Sequence, residues 1–197
     1  MAVQSGFYRG LSAPERAARR RVRLLEATLA VWADPDTRTT MTAICAQAGL
    51  SERYFYESFP GLEEALRALL DQVASEIETS TLAAADAAGD DPAARIRAAL
   101  QALIDLLLAD PRKGRAAIIE AAAVPALRAR RTQLLRHFAH LATEEASAAD
   151  AIGHDLAGVF FIGGMAEVVT AWIDGSLDTS PEEVVATASR AFLALRD

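Results

Sequence analysis

TMTAICAQAGLSERYFYESFPGLEEAL, residues Thr40 to Leu66, reads as two short helices joined by a tight corner and running directly into a third. Thr39 and Thr40 each carry an oxygen that can accept from the free N–H groups of a helix start. Met41, Ile44, Cys45 and Ala48 then recur on one face at helical spacing. Gly49 stands where a left-handed residue ends a helix, Leu50 is the apolar residue after the turn, and Ser51 is placed to cap the next helix. Such a corner brings two backbones close together. The residues facing it, Cys45 and Ala48, are accordingly small, and Phe55 and Phe59, four apart, supply bulk to the core behind it.

With both phenylalanines turned inward, Glu52, Arg53, Tyr54, Tyr56 and Glu57 are left mostly outside. Two tyrosines and an arginine on the outer face of a short helix are suited to contact phosphates, thymine methyls and base edges in a major groove. The segment therefore implies a DNA-reading corner.

Ile44-Cys45-Ala46-Gln47-Ala48-Gly49-Leu50-Ser51, then Phe55-Tyr56, Phe59-Pro60 and Glu63-Glu64, resemble the N-terminal domain of the TetR family of transcriptional regulators. Upstream, Arg19-Arg20-Arg21 followed by Leu24-Leu25-Glu26-Ala27 resembles that family's first helix. The resemblance implies that Thr40, Thr42, Ser51, Arg53, Tyr54 and Tyr56 contact operator DNA, with Tyr56 at the position of a phosphate-contacting tyrosine. Two departures stand out. Leu62 replaces the lysine that usually opens the helix after Phe-Pro, and the recognition helix carries Glu52 and Glu57 beside a single Arg53. Glu57 is expected to face water, whereas Glu52 either reads cytosine amino groups or faces water as well.

The overall balance is acidic, with 20 Lys and Arg against 27 Asp and Glu, which by itself argues against a nucleic-acid partner. The distribution reverses that impression. Residues 1–60 hold eight Arg against six acidic residues, net +2, and the other 137 hold 12 basic against 21 acidic, net −9. Arg16, Arg19, Arg20 and Arg23 recur at helical spacing as a basic face able to neutralise phosphates, and Arg9 lies on an N-terminal arm that extends this reach. The competing reading is a solvated basic surface. Of this face, Arg19 and Arg20 join the expected DNA-binding set.

At 52% hydrophobic residues the chain can build a sizeable core, and strand signals are nearly absent. Breaks at Asp34-Pro35, Gly49, Pro60-Gly61, Gly89 to Pro92, Asp110-Pro111, Val124-Pro125, Ala149 to Gly153 and Gly175 to Pro181 predict an all-α protein of about nine helices. Residues 1–61 would form the arm and a three-helix DNA-binding domain, and residues 62–197 a regulatory and dimerisation domain. The single Cys45 rules out an internal disulfide framework and, placed in the corner core, suggests a reduced cytoplasmic protein. The alternative is a redox sensor, which needs an exposed thiol with a depressed pKa. No signal peptide is read at the polar, Arg-bearing N-terminus. Leu156 to Ile173 is the most apolar stretch, but Glu167 and the flanking His154-Asp155 and Asp174 predict that it falls short of a membrane span.

That same stretch, LAGVFFIGGMAEVVTAWI, is hydrophobic nearly all round and so asks for more than one packing partner. Gly158, Gly163, Gly164 and Ala166 would let another helix approach closely. With Pro181 to Leu195 the stretch is similar to the family's dimer-forming helix pair, which implies a homodimer reading a palindromic operator; the competing reading is the buried central helix of a monomer. The resemblance further implies a small apolar or amphipathic effector held in the C-terminal helices. Residues Leu103, Leu107, Phe138, Phe161 and Trp172, with the rest of Leu100 to Leu108, Ile118, Ile119 and Phe160, either line such a cavity or simply fill it.

His137, His140 and Glu144 lie near one face of a helix, the only arrangement suggestive of a metal-dependent enzyme, and no further Cys or His constellation accompanies them. No phosphate-cradling loop or nucleophile elbow is present in the sequence. The reading is a non-enzymatic regulator that needs no metal or cofactor. Its partners would be double-stranded DNA, a second copy of itself and a small-molecule effector, with no membrane. Most simply it is a repressor released by that effector. A helical interaction module without DNA activity is the alternative, but it leaves the external tyrosines and the arginine cluster unexplained.

Overall fold

The computed structural model describes residues 12–144 and 151–195. Arg9 and the rest of the arm lie outside the described residues, as do the side chains of Glu144 and His154. Among the described residues there are nine helices and no strand. They are α1 (Ala13–Trp32), α2 (Met41–Ala48), α3 (Glu52–Ser58), α4 (Leu62–Ala87), α5 (Pro92–Ala109), α6 (residues 111–123), α7 (Arg128–Glu144), α8 (Ala151–Ile173) and α9 (Pro181–Ala194). The helix α6 widens to π geometry over Arg115–Glu120, and a 3-10 turn over Pro125–Leu127 joins it to α7. α8 begins at Ala151, inside the stretch expected to be a break.

Local chemistry sets most of the starts. Ser12 and Glu15 close a reciprocal capping box on α1, and Ser180 and Glu183 do the same on α9. Thr40, rather than Thr39, caps α2 by accepting from the Ala43 N–H at 3.1 Å. Asp91 caps α5 through the N–H groups of Ala93 and Ala94, ahead of Pro92 in the first turn. Ser51 is a correction: it occupies the cap position of α3 in extended backbone geometry, but its side chain makes no cap hydrogen bond.

Gly49 ends α2 with φ +59° and ψ 41°, and the N–H groups of Gly49 and Leu50 return to the carbonyls of Ala46 and Cys45. A Cβ at this position would lie 2.9 Å from Arg23 Nη2, the mobile end of a long side chain that can move aside. The backbone conformation is therefore the main obstacle. Gly49→Ala is expected to cost about 1–2 kcal/mol, read as a lower urea midpoint at unchanged slope; an unchanged midpoint would show that the corner relaxes without strain.

Three clusters make the core. The first joins Leu24, Ala27 and Val31 of α1 to Ile44, Cys45 and Ala48 of α2, to Phe55 and Phe59, and to Ala65 of α4. The second uses another face of α1, with Leu29 and Trp32 against Leu66, Leu69, Leu70 and Val73 of α4 and Ala116 and Ala121 of α6. The third packs Leu100, Ile104 and Leu107 of α5 with Phe161, Met165 and Val169 of α8 and Val184, Val185, Ala188 and Phe192 of α9. α1 and α4 each serve the first two clusters, so apolar packing is continuous across residue 62. Ion pairs reinforce the junction where Arg112 of α6 reaches Glu26 of α1 at 3.0 Å.

α8 packs on α7, on α6 and on α9, and meets α5 through Phe161, Met165 and Val169, but leaves one face uncovered. Leu156, Val159 and Phe160 are exposed, Phe160 at 70%, and a Cβ at Gly163 or Gly164 would meet nothing within 4 Å. Gly158 differs. A Cβ there would sit 2.7 Å from the Ala139 carbonyl oxygen, so its close approach is to α7 of the same chain and not to a second copy. Ala166 likewise faces inward. By length and composition Leu156–Ile173 is long and apolar enough to cross a membrane, with mean hydropathy 1.8, so Glu167 and the flanking charges do not disqualify it as expected.

Candidate nucleic-acid interface and internal cavity

The outer face of α3 is presented by what lies beneath it. Phe55 is fully buried, with its ring centroid 5.6 Å from that of Phe59, which anchors the seven-residue helix from below. Arg53, 85% exposed, Tyr54 and Tyr56 then project outward. Helical geometry forces this division, because residues 53 and 54 point well away from 55 and 59, and residue 56 lies about 100° round the helix from 55. The outer surface offers a guanidinium fork and two phenol hydroxyls on one short helix.

Two arginines of α1 hold α3 from the side. The Arg20 guanidinium stacks 4.4 Å above the Tyr54 ring, and its Nη2 lies 3.5 Å from Glu57 Oε2. Arg21 Nη1 donates to the Ser58 carbonyl oxygen at 2.7 Å, satisfying an otherwise free acceptor at the end of α3, and its guanidinium lies 4.2 Å over the Phe59 ring. Arg20, read from the sequence as a phosphate contact, is thus half-buried and engaged within the chain. Arg21 was not in the expected contact set; its signal was the pair of aromatic side chains, Tyr54 and Phe59, that its helix faces. Arg19 and Arg23 are exposed.

The acidic residues are also engaged. Glu57 does not simply face water: besides Arg20 it accepts from Arg53 Nε at 3.1 Å. Glu52 accepts from Thr42 Oγ1 at 3.4 Å, tying the start of α3 to α2. These are exposed pairs, the kind whose net contribution is about 0–1 kcal/mol. The carboxylates therefore hold Arg53 only weakly, whereas Arg20 is also held by its stack on Tyr54. Leu62 at the start of α4 packs against the core instead of offering a cation.

Cys45 is buried in this corner. Burial pushes its thiol pKa up, and the nearby Glu52 carboxylate pushes it the same way. Both causes disfavour the thiolate that redox sensing requires.

A second feature lies among the other helices. A cavity of about 230 Å³ is bounded by side chains of α4, α5, α6, α7, α8 and α9. Of the expected ligand contacts, Leu103, Phe138 and Phe161 line it, whereas Leu107 and Trp172 do not. The cavity runs along the first half of α5, through Ile96, Ala99, Leu100 and Leu103. Leu107 lies one turn further on, 2% exposed, against the place where α6 crosses at Gly114. Trp172 is likewise past Val169, the last α8 residue in the wall. Ile118 lines the cavity and Ile119 does not. Phe160 points outward because neighbouring helical residues diverge by about 100°, so that it cannot share the inward direction of Phe161.

His137 Nε2 lies 3.1 Å from Glu78 Oε2 across the α4–α7 interface. Among the described residues no three His, Cys, Asp or Glu side chains come together in a way that could hold a metal ion.

No family model matches the sequence, and no curated protein matches it. Solved structures do. The fatty acid degradation regulator of Bacillus halodurans superimposes with a TM-score of 0.77 at 17% identity, covering 93% of this chain and 97% of that one. A TetR-family transcriptional regulator from Streptomyces coelicolor gives 0.66 at 23% identity, with 98% of each chain covered. A TetR-like regulator from Rhodococcus sp. RHA1 gives 0.66 at 20% identity, covering 93% and 97%. These full-length matches, together with the α2–α3 corner and the helices behind it, establish that the chain has the fold of the TetR-family transcriptional regulators.

Proposed function

We propose that this chain is a DNA-binding transcriptional regulator of the TetR family that acts in the cytoplasm as a homodimer and has no enzymatic role. The observation that carries the reading is the outward presentation of Arg53, Tyr54 and Tyr56 on a helix braced by Arg20 and Arg21. Residues 1–61 act as the DNA-reading head. Residues 62–197 provide the dimer surface and the effector site. Thr40, Thr42, Ser51 and Arg19 flank the recognition helix and contact the backbone of the same operator. The uncovered apolar face of α8, with α9, pairs with its copy across a two-fold axis and so sets two heads on a palindrome.

The cavity supports release by a small molecule. An effector that fits only one separation of the two heads shifts the dimer toward that state and lowers operator affinity by its preference. The regulator is then a repressor.

The test is fluorescence-anisotropy titration of a palindromic duplex from beside the gene, at several salt concentrations. Affinity is expected to fall steeply with salt, as phosphate neutralisation demands. Arg53→Ala is expected to remove about 1–3 kcal/mol of discrimination between that duplex and a scrambled one. Tyr56→Phe should weaken both similarly. Absence of salt-sensitive duplex binding by the wild type would sink the reading.

A further inference from the structure

The wall of the cavity is apolar apart from Thr81, Arg95 and Arg131, and among the described residues no Asp or Glu side chain lines it. Two of these three polar groups are engaged. Thr81 Oγ1 donates to the Glu78 carbonyl oxygen at 3.2 Å. Arg95 is bound to Asp86 Oδ1 at 2.9 Å and to the Gly89 carbonyl oxygen at 3.0 Å. Arg131 is different. It is half-buried at the start of α7, and among the described residues it has no hydrogen bond or ion pair. Its neighbour Arg130 shows what an answered arginine looks like there, with Nε 2.6 Å from Asp71 Oδ1.

A half-buried guanidinium with no counter-charge among the described residues, at the wall of an apolar cavity that no described carboxylate lines, is suited to receive an anion. We infer that the effector is an amphiphilic monocarboxylate whose carboxylate pairs with Arg131 and whose apolar tail fills the cavity between Leu103, Phe138 and Phe161. The inference rests on reading the cavity as the effector site. Its size sets the tail. At roughly 30 Å³ for each water-sized group, the space of about 230 Å³ accommodates a tail of about eight heavy atoms. A planar fork also favours a carboxylate over a hydroxyl, because it donates two parallel hydrogen bonds.

The probes are octanoate, 1-octanol and octylammonium, which share an eight-carbon chain and differ in head-group charge, titrated calorimetrically into the full-length protein. Octanoate is expected to bind at least about tenfold more tightly than the other two, the margin of a charge-assisted pair. Arg131→Gln should erase that margin while 1-octanol binds as before, and Arg131→Lys should keep part of it. Octanol binding as tightly as octanoate, a margin that survives Arg131→Gln, or no octanoate binding to the wild type would each overturn the inference. Duplex binding is read separately. If octanoate binds with the Arg131-dependent margin yet the protein binds no duplex, the carboxylate site stands and the regulator reading falls. If duplex binding is intact without any preference for octanoate, the carboxylate inference alone falls.

Discussion

Replacing Phe55 by Ala is expected to lower the free energy of unfolding by about 3–5 kcal/mol, the usual cost of removing a buried phenyl ring, and to abolish duplex binding. Phe55 is 0% exposed and is the only buried residue of α3. Its ring contacts Phe59, also 0% exposed, inside the cluster formed with Leu24, Ile44, Cys45 and Ala48. A seven-residue helix has almost no stability of its own, because nucleation is costly and too few hydrogen bonds follow to offset it. Removing the ring therefore leaves a cavity and also frees the element that presents Arg53, Tyr54 and Tyr56. Native domains are stable by only about 5–15 kcal/mol in total, so the variant stands near the edge of folding. Urea unfolding followed by circular dichroism checks the result. Tyr56→Phe is the contrast, since Tyr56 is 58% exposed and its loss of a hydroxyl should change stability by less than about 0.5 kcal/mol. A loss below about 1 kcal/mol for Phe55→Ala would mean that α3 is not seated on this core.

Phe160→Glu is expected to convert a dimer at micromolar concentration into a monomer and to weaken operator binding by orders of magnitude. Phe160 is 70% exposed and lies on the same face as Leu156, at 73%, and Val159, at 51%. Contiguous apolar exposure of this kind marks a surface that is covered in the working molecule. Around a two-fold axis the same residue enters the interface from both subunits, so one substitution places two unpaired carboxylates in an apolar contact. The subunit itself should stay folded, because the side chain makes little of the interior. Size-exclusion chromatography with light scattering reads the mass, and circular dichroism reads the fold. A wild type that is monomeric, or a variant that remains dimeric, would remove α8 from the interface. The membrane alternative for this helix predicts instead that the wild type partitions into lipid vesicles, which a soluble dimer does not do.

How much was legible in the sequence follows from the range of the forces involved. The corner at Gly49, the cap at Thr40, the inward phenylalanines and the outward tyrosines are all decided within about four residues of chain, by periodicity and capping chemistry. The sequence also implied the uncovered face of α8 through its lack of a polar side. Where the structure adds to or departs from the expectation, the cause lies outside the helical period. Arg20 and Glu57 meet across 37 positions, so nothing local revealed that an expected phosphate contact and an expected water-facing carboxylate would answer each other. Ser51 sits at a cap position, but whether its hydroxyl bonds a helix N–H depends on a rotamer that sequence spacing does not set.

By itself, then, the sequence determined that the described chain is all-helical, where most of its helices start and stop, the start of α8 excepted, and which face of the recognition helix is left free. Those are properties of single helices and single turns. The tertiary structure alone decided that Gly158 admits α7, that Leu103 walls a cavity while Leu107 is sealed beneath α6, and that among the described residues Arg131 is left without a partner while Arg130 finds Asp71. Each depends on how helices far apart in the chain cross and slide against one another. A displacement of one helical turn exchanges wall for core, or an answered charge for an unanswered one, without altering the periodicity that a sequence displays.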